Sequence, residues 1–299
     1  MHKILCRTAL LAAICAALPA CESLQALEGV QIQGVDLSPL ASAGRNLSDM
    51  GEKTQDEELV IGASTAELLL KQAPLLDNAG VQAYVNQVGR WVALNSERPD
   101  LPWRFGVLDS SVVGAYAAPG GYVFITSGML LQMNSEAELA GVLAHEVAHV
   151  VQKHHLDAIK QKAGAGLLAN VSRFALQASQ ASSSAPASSD PVSTQKFDQL
   201  VTNLYTRGLD RGDEYEADEM GAVIAARAGY DPYGLANVLQ GLGTMKQDDA
   251  TLVTFLKVHP NIGDRLKQLE PTYLYLDKAA AGGSQQTLEP RYQKALSAK

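Results

Sequence analysis

Cysteine is nearly missing from this chain. Its three cysteines, Cys6, Cys15 and Cys21, all fall within the first 21 residues. If the first 20 residues are removed as a leader, one cysteine remains and no internal disulfide can form. Positive charge is also scarce. Lys and Arg number 24 against 32 Asp and Glu, a formal net charge of −8. A nucleic-acid partner asks for a basic patch, so no nucleic acid is expected among the partners. Long apolar runs are lacking as well: Thr8 to Leu18 is too short to span a bilayer as a mature helix. There is no internal repeat and no sign of a second compact domain. What is present is a hydrophobic fraction of 46% in 299 residues, with Pro and Gly at ordinary levels. That suits a globular core in one large domain or two modest ones.

The N-terminus reads as an address. Lys3 and Arg7 precede the apolar run, as in a secretory leader. Leu18-Pro19-Ala20-Cys21 resembles a bacterial lipoprotein signal, with cleavage before Cys21 and a lipid on its sulfur. An Ala-x-Ala-like cut nearby, giving an ordinary secreted protein, is the alternative. With Glu22 after the cysteine, resemblance to lipoprotein sorting implies the outer membrane and a domain facing the periplasm. Residues 1–20 are thus expected to be a signal peptide and 21–50 a tether without sustained periodicity.

Gly51 to Gln72 reads as a helix broken by Ala73-Pro74. Asn78 to Leu94 reads as a second, with Val81, Tyr84, Val85, Val88 and Val92 at helical spacing. Three short strand patterns follow, Trp103–Leu108, Val112–Ala117 and Tyr122–Thr126, with a Pro119-Gly120-Gly121 turn. Residues 178–194 are low-complexity Ala and Ser, expected to be a mobile loop. Helices are expected from Phe197 to Leu204, Asp213 to Ala228, Asp231 to about Met245, and Ile262 to Leu269. A flexible tail is expected over 274–299. The fold class is α+β, mostly helical with a small β-sheet, in one domain over 51–273.

The densest chemistry lies in Glu136 to His155, read as one amphipathic helix capped by Ser135 and Glu138. His145 and His149 are four apart and share a face, and Glu146 lies between them. This is the H-E-x-x-H pattern, two imidazoles for a zinc ion and a carboxylate for general base. The bland reading is a buried helix with two satisfied core histidines. A catalytic zinc takes a third protein ligand and keeps a position for water. In Asp213-Glu214-Tyr215-Glu216-Ala217-Asp218, Glu214 and Asp218 share a helical face while Glu216 points elsewhere. Glu214 as ligand, with Asp218 bonding a ligating His, would supply both shells. Glu216 remains the competing ligand, and Asp218 reads also as a residue stabilising its helix start. His154 and His155 read as surface residues.

H-E-x-x-H, then E-x-x-A-D at 214–218, then His259-Pro260 and Arg265, together resemble the HtpX and CAAX-prenyl-endopeptidase type of zinc metallopeptidase, a gluzincin family. The likeness is to its short periplasmic lipoprotein members and covers about Glu52 to Leu269. It implies a zincin-type domain with one Zn2+ on His145, His149 and Glu214, Glu146 as base, and Asp218 behind the ligands. Ala115-Tyr116-Ala117 with Pro119-Gly120-Gly121 resembles the family's N-A-F-A…P-G-G segment, with Gly114 where Asn is usual. His259-Pro260 with Arg265 resembles its H-P-x-x-x-x-R. In relatives this His lies by the metal, stabilising the oxyanion or occupying the open coordination position. A packing role for His259 and an ion pair for Arg265 are the plain alternatives.

The expected function is zinc-dependent endopeptidase action on unfolded or misfolded envelope proteins, with Glu146, His259 and Asp218 in the catalytic group. The substrate would lie extended along Gly114, Ala115, Tyr116 and Ala117, with Arg265 beside it. Cys21 would tie the protein to the membrane. The alternative is a chaperone or assembly factor for outer-membrane proteins whose hydrolysis is held in check by His259 or by the 178–194 segment.

Overall fold

The computed structural model describes residues 31–32, 35–36, 38–163, 191–246, 249–259 and 261–280. The expected signal peptide, Cys21, most of the Ala/Ser stretch, Pro260 and residues 281–299 lie outside the described residues. Contacts divide the chain into two units, Met1–Glu57 and Glu58–Lys299. In the first, β1 (Gln31–Ile32) pairs antiparallel with β2 (Val35–Asp36), and helix α1 (Ser38–Gln72) begins. That helix was expected from Gly51. Ser38-Pro39 starts it well inside the stretch read as tether, Pro being at ease in a first helical turn. Among the described residues, no helix is long and apolar enough to cross a membrane.

The second unit is mostly helical around one three-stranded sheet. Helix α2 (Ala79–Leu94) is capped by the Asn78 side chain, which accepts from the Val81 N–H. Its buried stripe is Val81, Val85, Val88 and Val92, the spacing the sequence shows. Strands β3 (Arg104–Leu108), β4 (Ala115–Ala118) and β5 (Tyr122–Thr126) follow. The order is β3-β5-β4, with β3 parallel and β4 antiparallel to β5. The second strand starts three residues later than its pattern suggests. Val113 instead donates to the Thr251 carbonyl, and the Thr126 hydroxyl binds the Val112 carbonyl. A short turn of helix, α3 (Ser127–Leu130), leads to α4 (Glu136–Val151).

Helix α4 is the axis of the unit. All its residues except Ala137 are buried, which explains a sequence apolar almost all round. The Ser135 side chain accepts from the Glu138 N–H at 3.1 Å, and the Glu138 carboxylate reaches back to the Asn134 N–H at 2.7 Å. The capping box is therefore present, shifted by one position on its return arm. Contrary to the reading of one helix to His155, α4 ends at Val151. Lys153 takes a left-handed φ of 62° and a new helix, α5 (residues 154–163), starts immediately.

The remaining helices are α6 (Pro191–Arg207), α7 (Arg211–Arg227), α8 (Gly234–Thr244), α9 (Val253–Val258) and α10 (Ile262–Ala280). Helix α6 begins at Pro191, inside the stretch expected to be a loop. Helix α10 runs to Ala280, past the expected tail boundary, because Leu269, Tyr273 and Leu276 keep helical spacing and are buried. Its internal Pro271 costs one ladder hydrogen bond. Helices α7 and α8 both lie against α4. A Cβ on Gly221 of α7 would sit 2.9 Å from the His145 backbone nitrogen. Only glycine permits that approach.

Candidate metal centre

His145 and His149 project from the buried face of α4, and their Nε2 atoms are 3.1 Å apart. Across from them, α7 presents Glu214 in its first turn. Glu214 Oε2 is 3.7 Å from His145 Nε2, and Oε1 is 3.5 Å from His149 Nε2. Asp218, one turn on, places Oδ1 2.8 Å from His145 Nδ1. That contact puts the imidazole proton on Nδ1 and turns the Nε2 lone pair toward His149 and Glu214.

Glu216 is 3.6 Å from His154 Nε2 and accepts from the Gln152 amide. It lies outside the convergence of His145, His149 and Glu214. The α9–α10 junction brings in two more groups. His259 follows α9, and its Nδ1 is 2.6 Å from Glu214 Oε2. Arg265, in the first turn of α10, donates to both oxygens of Asp218, from Nε at 2.8 Å and Nη2 at 2.6 Å. Arg265, expected beside the substrate, lines the pocket that holds Glu146 and His259 and is buried with two donors on Asp218. It positions the acid that positions His145.

Buried charge sets the protonation. Burial works against the ionised forms of Glu214 and Asp218, but partners outweigh it. The charge and hydrogen bond of His259, with Arg265 and His145, hold Glu214 down to about 2. Arg265 and His145 hold Asp218 well below the carboxylate range. Burial alone would lower His145, yet Asp218 raises it. At His149 burial, with the neighbouring histidines, pushes the imidazole well below its ordinary value. Burial raises the Glu146 carboxyl, the direction a general base near neutrality needs.

The donor set suits a divalent cation. Ligand atoms of His145, Glu214 and His259 all lie within 4.8 Å of one another, and His149 Nε2 is 3.1 Å from His145 Nε2 and 3.5 Å from Glu214 Oε1. Glu214 Oε1 is buried and has no hydrogen-bond partner among the described residues. A buried carboxylate oxygen left open beside two imidazoles is costly unless a cation fills the gap. Two imidazole nitrogens and one carboxylate are a set that zinc takes.

Strand β4 flanks this centre as the outer strand of the sheet. Ala115, Glu146 and His259 line a common pocket with Met129, Val142 and Phe255. The Gly114 carbonyl accepts from the Thr126 N–H, so by alternation Ala115 and Ala117 turn their backbone groups outward. One of those groups is taken: the Tyr205 hydroxyl of α6 donates to the Ala117 carbonyl at 2.5 Å. Tyr116 meets Tyr205 edge-on. A Cβ on Gly114 would lie 2.8 Å from the Tyr116 hydroxyl, so a side chain there would require the Tyr116 ring to shift.

Sequence reasoning passed over Tyr205, which follows a stretch without motif. It also placed His154 and His155 on the surface. The turn at Lys153 folds both inward. His154 is buried with Nδ1 2.9 Å from His149 Nδ1, and the His155 ring stacks on Tyr205. Had α4 continued, His154 would have faced away from His149; no sequence pattern marks a left-handed lysine.

Residues 79–272 match the profile of Peptidase family M48. The chain is 28% identical over 250 residues to the beta-barrel assembly-enhancing protease of Yersinia pestis, covering 80% of this chain and 48% of that protein. It is also 28% identical over 201 residues to the mitochondrial metalloendopeptidase OMA1 of Arabidopsis thaliana, covering 67% of this chain and 37% of that protein. The chain thus spans about half the length of the relatives it matches, or less.

Proposed function

Because this chain belongs to peptidase family M48, we propose that it is a zinc-dependent endopeptidase acting on unfolded or misassembled proteins of the bacterial cell envelope. The carrying observation is the convergence of His145 Nε2, His149 Nε2 and the unpartnered Glu214 Oε1 beside the buried Glu146. His145, His149 and Glu214 would hold one Zn2+ per chain. Bound there, the ion supplies a water of lowered pKa and a charge to polarise the scissile carbonyl. Glu146 takes a proton from the attacking water and delivers it to the departing amine. Its low-dielectric surroundings, and a pKa raised by burial, suit it to both halves of that exchange. Asp218, clamped by Arg265, keeps the His145 proton on Nδ1. The substrate lies extended along the outer side of β4, at Gly114, Ala115, Tyr116 and Ala117, adding a strand. Backbone pairing of this kind accepts many sequences and rejects chains already folded.

The envelope assignment is supported by the leader-like N-terminus and by the Yersinia pestis relative, whose name places it in β-barrel assembly. In this reading Cys21 carries a lipid that anchors the protein to the outer membrane, with the domain in the periplasm. Labelled palmitate should enter the wild type and not Cys21→Ala; equal labelling would refute the anchor. For the activity, purified wild type should cleave unfolded casein and Glu146→Gln should not. Equal cleavage by the two would overturn the assignment. Zinc content should be one per chain in wild type and in Glu216→Ala, and near zero in Glu214→Ala.

One observation favours a second reading. His259 Nδ1 sits 2.6 Å from Glu214 Oε2, inside the ligand cluster. A histidine there can hold the site shut and leave a chaperone or assembly factor for outer-membrane proteins with latent hydrolysis. Wild type that binds an unfolded porin and leaves it uncut, while His259→Ala cuts it, would establish this reading over the first.

A further inference from the structure

The geometry points to His154 as a positioning residue for the metal centre: its ring accepts the His149 Nδ1 proton and so fixes the ligand tautomer of His149. This rests on the zinc reading given above. The two imidazoles of α4 are not supported alike. His145 has the Asp218 carboxylate on Nδ1 at 2.8 Å. His149 has no acid there; its Nδ1 faces His154 Nδ1 at 2.9 Å. Two ring nitrogens at that distance share one hydrogen, so one donates and the other offers its lone pair. For His149 to give its Nε2 lone pair to the centre, its hydrogen must be on Nδ1. His154 must then accept through Nδ1 and carry its own hydrogen on Nε2.

The surroundings of His154 select that arrangement. Its Nε2 points to the acidic start of α7, with Glu216 Oε2 at 3.6 Å and Asp213 Oδ1 at 4.0 Å. Glu216 is steadied by the Gln152 amide from the α4 end. Two carboxylates beside Nε2 favour a hydrogen there. Nδ1 meets the His149 ring instead. The polarity therefore runs from His149 through His154 to α7, parallel to the line from His145 to Asp218. Lys153 takes a left-handed backbone, φ 62°, at the one turn that brings the His154 ring under His149. Such a conformation in a non-glycine residue is unfavourable and persists where its surroundings demand it.

Zinc affinity of the purified chain, measured by competition with a chromophoric chelator, tests this. His154→Leu removes the acceptor and should weaken binding about 10- to 100-fold. His154→Asn places an amide oxygen where Nδ1 was and should restore affinity to within a few-fold of wild type. Leu equal to wild type, or Asn as weak as Leu, would overturn the proposal, the latter outcome assigning His154 to packing. If wild type itself binds no zinc, the underlying metal reading is what fails. Should His154→Leu not fold, long-range nitrogen–proton NMR on histidine-labelled, metal-free wild type decides: a hydrogen on His149 Nδ1 is expected, and one on Nε2 would refute the role.

Discussion

Asp218 and Glu214 are one helical turn apart and do different work. Asp218 is buried, takes both arms of Arg265 and orients His145. Replacing it by Asn leaves a guanidinium buried beside a neutral amide. Breaking a buried pair this way costs about 3–5 kcal/mol, so Asp218→Asn should lose that much in urea unfolding. Glu214 answers to pH. Its folded value is held to about 2, below the ordinary 4.5. A depressed carboxylate stabilises the fold above its unfolded value, and that contribution disappears as pH falls through the folded one. Metal-free wild type should therefore lose stability between about pH 4.5 and 2. In the same window Glu214→Gln should show a flatter urea midpoint against pH; identical slopes would refute the assignment.

At the scale of elements, the centre exists because α7 can lie unusually close to α4. Gly221 is the point of contact, and a Cβ there would stand 2.9 Å from His145 N and 3.0 Å from His145 Cα. Backbone cannot swing aside as a side chain can. Gly221→Ala should cost about 1–3 kcal/mol and draw Glu214 away from the histidines. Expected are a lower melting temperature and weaker metal binding together, read by thermal denaturation and chelator competition. Elements also decide what the sequence could disclose. His145, Glu146, His149, Glu214 and Asp218 were legible because each pair sits at helical spacing within one helix. His154 was not, because its place depends on the φ of Lys153, a tertiary choice no local pattern encodes. Tyr205 was not, because it reaches β4 from a helix 88 residues away in sequence. Arg265 was visible as a residue, but a motif cannot say which partner its side chain takes.

For the molecule as a whole, α4 threads the second unit and carries two of the three proposed ligands, so filling the site braces its core from within. An ion that binds only the folded state stabilises it by mass action, about 4 kcal/mol at a thousand times its dissociation constant. In a domain of this size each kcal/mol moves the melting temperature by about 2–4 °C. Added zinc should raise the melting point by roughly 8–16 °C in wild type and leave Glu214→Ala unmoved. The small sheet and dominant helices were foreseeable from period-2 and period-3.6 patterns. Helix α10 extends to Ala280, past the expected tail boundary, because burial of Tyr273 and Leu276 overrides the hydrogen bond absent at Pro271.

If a client pairs with β4 as proposed, the phenol on Ala117 would make its recruitment an exchange rather than an addition. An arriving amide would compete with an O–H already on the carbonyl, so that position would yield less net enthalpy than a free one. Recognition then depends on contacts with side chains and on how much unpaired main chain the visitor brings. A folded protein, whose amides are engaged elsewhere, gains nothing from the trade. Tyr205→Phe leaves the acceptor vacant, and should tighten binding of an extended peptide several-fold, about 1 kcal/mol, while folded proteins remain unbound. In the proposed binding mode the hydroxyl of one tyrosine would act as a threshold that separates denatured chains from intact ones.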